Sequence, residues 1–284
     1  MGLARPQFTG TGFAPGPTLR EGSQLFSLLV VAALGFGSTT PAAPAAAVTT
    51  RYKLEIKAET TIDLSAFGQG VQTQTANLAA WLVVTLNDSA GGKSVRALVD
   101  SVTFVGTAPV SRESLDSTKG AVVRGFVDAG GRVKNLTTTP ESSIVMQVQG
   151  MINSFFPKIK SAAKLGDRWA DTVEIKNAGG GNNTNVTLAI DYTAGARETV
   201  AGLPALKVSA VTKSTVSGTM ENPNAGTMEV EGTGSGTGTL FIGSDGRFLG
   251  GSSTSNIDQR LKVSMAPTPI PVKTAQTVVV TVVK

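Results

Sequence analysis

From Thr50 to Ile62 every second residue is apolar: Tyr52, Leu54, Ile56 and Ala58 fall on one face, and Arg51, Lys53, Glu55, Lys57 and Glu59 on the other. A period of two marks a strand with one buried and one wet face, and a helix cannot sort these residues in that way. The pattern recurs along most of the chain, so the sequence predicts a mainly β protein. Leu78, Ala80, Leu82, Val84 and Leu86 keep step up to the turn cluster Asn87 to Gly92, and a strand follows from Ser94 to Val105. Gly120 to Asp128 and Arg132 to Thr137 form a hairpin through Ala129-Gly130-Gly131. Further strands are expected up to Lys176, around Val186 to Tyr192, and from Leu203 to Thr219, with a short turn at Gly195. Thr227 to Ile242 and Arg247 to Ser264 make a second hairpin, whose turn reuses the Gly-Arg ending of the first. After Pro267, Pro269 and Pro271, the run Thr277 to Val283 reads as a strand buried on both faces.

One stretch obeys a different period. In Thr139 to Lys160, Ile144, Val145, Val148, Met151, Ile152, Phe155 and Phe156 share an arc of about 140° at 100° per residue. Thr139 is placed to cap, Pro140 suits a first turn and Pro157 ends the regular helix. The expected fold is a curved antiparallel sheet or half-barrel packed around this one central α-helix.

Residues 1–47 read as a signal peptide: Arg5 and Arg20 precede the apolar run Leu25 to Gly37, and Ala45-Ala46-Ala47 meets the small-x-small cleavage rule. The apolar run is too short for a membrane-spanning helix, which favours cleavage over the alternative of an uncleaved N-terminal anchor. Residues 48–284 then form a single β-rich domain, divisible into halves 48–138 and 165–284 joined by the helix at 139–160. An exported chain, periplasmic or extracellular, is the expectation. The net charge of +5 is scattered. With no run of Lys or Arg and few aromatics, no nucleic-acid partner is expected.

Chemistry is limited by what is missing. The 284 residues hold no histidine and no cysteine, which removes the commonest general base, the commonest metal ligand and the thiol nucleophile. Ser161-Ala162-Ala163-Lys164 fits S-x-x-K, but its companion S-D-N and K-T-G motifs are absent. No catalytic residue, cofactor or metal is therefore expected, and a hydrolase is the remote alternative.

Two features point to a site. In Gly232-Thr-Gly-Ser-Gly-Thr-Gly238 no helix follows to make a phosphate loop. Period two instead puts Gly232, Gly234, Gly236 and Gly238 on the face of Met228, Val230, Leu240 and Ile242. Side chains are missing where a core would have them, so either strand curvature and the helix use that space or a ligand does. Asp171 shares its strand face with Trp169, Val173 and Ile175; it either lies at the strand's wet entrance or is a core-facing acid that needs a partner or water inside a cavity. The candidate ligand-binding residues are Met151, Phe155, Phe156, Trp169, Asp171, Gly232, Gly234, Gly236 and Gly238.

Phe156-Pro157 through Gly166-Asp167-Arg168-Trp169 resembles secreted bacterial β-rich proteins with a Gly-Asp-x-Trp motif. The plan of long antiparallel strands around a helix is similar to the lipoprotein-carrier (LolA and LolB-like) half-barrel. That resemblance implies a concave apolar surface sheltering lipid or acyl chains, with no catalytic residues. The expectation is a non-enzymatic envelope protein that binds a hydrophobic small molecule or lipid, or an envelope protein, on the concave face of its sheet. A structural or surface-interaction protein without a ligand is the alternative.

Overall fold

The computed structural model describes residues 47–283 except 108–111, 129–132, 141–144, 146–147, 150–151, 153–155, 157–162, 180–181, 223–225, 245 and 264–267. The leader expected at residues 1–47 lies outside the described residues except for Ala47. Eleven strands form one open antiparallel sheet in the order β5-β4-β3-β2-β1-β11-β10-β9-β8-β7-β6. The first meander comprises β1 (Val48–Asp63), β2 (Val71–Ser89), β3 (Gly92–Gly106), β4 (Val122–Asp128) and β5 (Val133–Thr139). The second comprises β6 (Arg168–Gly179), β7 (Asn182–Val200), β8 (Leu203–Asn222), β9 (Gly226–Gly243), β10 (Phe248–Val263) and β11 (Ile270–Val283). They join where β1 pairs with β11, from Arg51 opposite Val283 to Ile62 opposite Val272. β5 and β6 are the two edges.

One face carries the core. Leu54, Leu82, Val99, Val123, Leu188, Ile190 and Val208 are buried on it, while Lys57, Glu59, Lys213 and Lys273 face water from the other side. A flat single sheet would leave both faces wet, so this degree of burial requires the sheet to curl over its apolar side. Val145, Val148 and Ile152 are helical and, with Phe156, are buried in the same core. Their spacing is that of one helix face, as the sequence predicts. Ile144, Met151 and Phe155 lie outside the described residues.

The local corrections have physical causes. Thr139 ends β5 opposite Val122, because the β-branched run Thr137 to Thr139 extends the pairing with β4; the first-turn residues it is expected to cap lie outside the described residues. The turn expected at Gly195 is a bulge inside β7, where pairing with β8 shifts between Ala194 and Arg197. The chain reverses instead at Ala201 and Gly202, both at positive φ (50° and 82°), the combination a tight two-residue hairpin needs. β11 starts at Ile270, ahead of the prolines' expected break. Pro271 is accommodated because it pairs with Arg260 on β10 while the pairing with β1 stops at Val272, so no β1 partner needs its missing N–H. Nor is β11 buried on both faces: Val278 and Val280 are buried and Thr281 is exposed, because nothing described covers the outer face. A short helix, α1 (Arg112–Thr118), was not anticipated; Leu115 rests on the core and Thr118 is fully buried.

Candidate functional site

The glycines face inward as period two requires. Met228, Val230, Leu240 and Ile242 are buried on their side, and Thr233, Ser235 and Thr237 are exposed on the other. The atoms around them decide what the row does. A Cβ on Gly236 would stand 2.7 Å from the carbonyl oxygen of Thr254, and one on Gly234 would stand 2.5 Å from Ser214 Oγ and 3.0 Å from the Asn256 carbonyl. On Gly232 it would stand 2.7 Å from the Asp258 carbonyl and 2.8 Å from Gln259 Cγ. Every one of these atoms belongs to a flanking strand, β8 or β10. The row therefore lets β8 and β10 approach β9 more closely on the inner side than a Cβ there would allow.

Pairing registers extend the row into a belt. One cross-strand row runs Asp171, Ile190, Thr212, Gly236, Ser255, Gln276, Ala58 and Ala76. The next runs Leu188, Ser214, Gly234, Ile257, Thr274, Thr60 and Gln74. Across six adjacent strands, β8 through β11 and on to β1 and β2, the inward residues become small or polar at one level. Apolar clusters lie on both sides of that level: Leu54, Leu82, Val208 and Val280 towards one end, and Ile62, Val216, Val230 and Val272 towards the other. The glycines, Ser253, Ser255 and Ala58 are only half-buried, so the interior is partly open along this belt.

Within it lies a shallow pocket floored by Gly236 and Gly238, with Leu240, Phe248, Val278 and Val280 as its apolar wall and Thr212, Ser214, Ser253 and Ser255 as its polar margin. Its free volume is about 50 Å³, space for a few waters, whereas ligand sites usually offer roughly 300–1,000 Å³. The Tyr52 hydroxyl donates to the Phe248 carbonyl at 2.9 Å, and the two rings stack at 6.1 Å between centroids. This fixes the pocket's apolar end.

Buried polar groups in the belt are only partly satisfied. Thr60 and Thr274 share a hydroxyl contact of 3.1 Å. Gln276 and Gln259 are 4% and 9% exposed, yet neither Nε2 has a hydrogen-bond partner among the described residues, and the same holds for Gln74 Oε1.

Asp171 is buried on the inner face, as strand alternation predicts, and Trp169 stacks on Tyr192 at 5.4 Å. Burial, with Asp171 adding to it, raises the Tyr192 phenol above its ordinary value. Asp171 shares the row of Gly236 but stands three strands away, about 14 Å along the sheet, so the two are aligned and not in contact. Phe156 is in the core, and Met151 and Phe155 lie outside the described residues. The sequence reading missed Gln276, Gln259, Thr212 and Ser214. Their signal is an interruption of apolar alternation, which becomes visible only once register stacks the interruptions together. Among the described residues there is no acidic cluster able to hold a metal ion.

No protein family and no curated protein matches the sequence. A solved structure described as lipid-protein interactions in lipovitellin is similar at 11% identity and a TM-score of 0.44, covering 83% of this chain and 25% of that chain. The chain thus spans about a quarter of the length of that structure's chain, and a likeness of this size carries no argument about ligand or activity.

Proposed function

We propose that this is an exported, non-enzymatic envelope protein that binds a hydrophobic small molecule or lipid on the concave face of its sheet. One observation carries the reading: on the inner face the glycine row of β9, with Ser253, Ser255 and Ala58, is only half-buried, beside the apolar wall of Leu240, Phe248, Val278 and Val280. The small free volume means that binding must displace something. The buried face of Val145, Val148, Ile152 and Phe156 withdraws, and apolar chains take its place against the sheet. Native mass spectrometry of the protein taken from an envelope extract without detergent should show a stoichiometric adduct that gentle activation releases. A ligand-free spectrum under those conditions contradicts the proposal.

A second reading, a structural or partner-binding protein without a ligand, is favoured by the glycine geometry, since curvature alone explains the row. Under that reading the same spectrum shows no small adduct.

A further inference from the structure

We infer that the belt selects an uncharged acyl carbonyl, an ester in preference to an ionised fatty acid; this rests on the hydrophobic-ligand reading above. The argument starts from Gln276. On β11 its inward neighbours are Thr274, half-buried and in hydroxyl contact with Thr60, and the buried, apolar Val278 and Val280; a buried amide here costs stability unless bonded. Its Nε2 has no partner among the described residues although the side chain is 96% buried. Leaving such a donor unsatisfied is expensive, so retaining it makes sense if something accepts from it.

The surroundings set the chemistry of that acceptor. Gln276 sits one strand from Ser255 on the pocket's margin, and Val278, two residues along β11, belongs to the apolar wall. A chain lying on that wall would bring a carbonyl at its polar end to the Gln276 amide. The acceptor should carry no charge. No Lys or Arg faces inward along the belt among the described residues: Lys57, Lys213 and Lys273 all point outward to water. The inward ionisable side chain on this row is acidic, Asp171, and it lies five strands away along the sheet, so no cation reaches the Gln276 amide from the row. A carboxylate taken into such a site would have a neutral donor and no cation, and desolvation would weaken it. An ester carbonyl accepts the same bond without that cost.

The test uses the full protein and three fluorescent probes at pH 7: cis-parinaric methyl ester, cis-parinaric acid and the hydrocarbon diphenylhexatriene. The ester is expected to bind about tenfold more tightly than the acid. Gln276→Leu should weaken the ester about tenfold, leave diphenylhexatriene unchanged, and keep or raise the melting temperature, because an unsatisfied donor has been removed. Acid binding as tight as ester binding overturns the inference. So does a Gln276→Leu variant with unaltered ester affinity, with equal loss of all three probes, or with a lowered melting temperature, which would give Gln276 a structural role. Wild-type protein that binds none of the probes instead contradicts the underlying ligand reading.

Discussion

A Cβ at Gly236 would meet the Thr254 carbonyl at 2.7 Å, whereas at Gly238 its nearest neighbour is the Ser252 carbonyl at 3.1 Å. The first contact forces the backbone of β9 or β10 to move, and the second asks for only a few tenths of an ångström. Gly236→Ala should therefore cost about 1 to 3 kcal/mol, and Gly238→Ala distinctly less, as measured by urea unfolding. Equal effects would mean that the curl does not depend on the row's contact with β10. The inward direction of these glycines was readable from alternation with Val230 and Leu240. What fills the space above them was not, because strand curvature is a property of neighbouring chains, and the carbonyls of Thr254 and Asn256 are unrelated in sequence to the positions they crowd. The same holds for Gln276: in the sequence it is one polar residue in an apolar strand, and only the register that sets it beside Ser255 and Ala58 shows it to be part of a belt.

At the scale of elements, the long strands were legible because each buries one face, and the period of two survives every local irregularity. The boundaries were less so. A bulge at Gly195 resembles a turn in sequence, since both use glycine, but inserting residues into one strand bends it without ending its pairing. Ala201 gives little turn signal, since alanine rarely takes a positive φ. The helical segment is the exception that the sequence marks best: Val145, Val148 and Ile152 recur on one face and all three are 0% exposed. Ile152→Ala should cost about 2 to 4 kcal/mol by the loss of buried methylenes and the cavity left behind, measured as a shift in the urea midpoint with unchanged slope. A loss below about 0.5 kcal/mol would show that this face contributes little to the core.

For the whole molecule, the two meanders share one sheet through the β1–β11 pair, and β5 and β6 stay apart as edges. A closed barrel would seal its interior, and an open sheet needs something to cover its apolar face. Here the cover is incomplete along the belt. The chain has no cysteine, so a single introduced thiol reports its own surroundings. Rates of maleimide labelling in the native protein should be compared for Thr254→Cys on the exposed outer face, Ser255→Cys in the belt and Ala80→Cys in the sealed core, positions that are exposed, half-buried and fully buried respectively. The account predicts that Ser255→Cys labels in the folded state at a rate between the other two and is protected by bound cis-parinaric methyl ester. A Ser255→Cys thiol as inert as that of Ala80→Cys would contradict it.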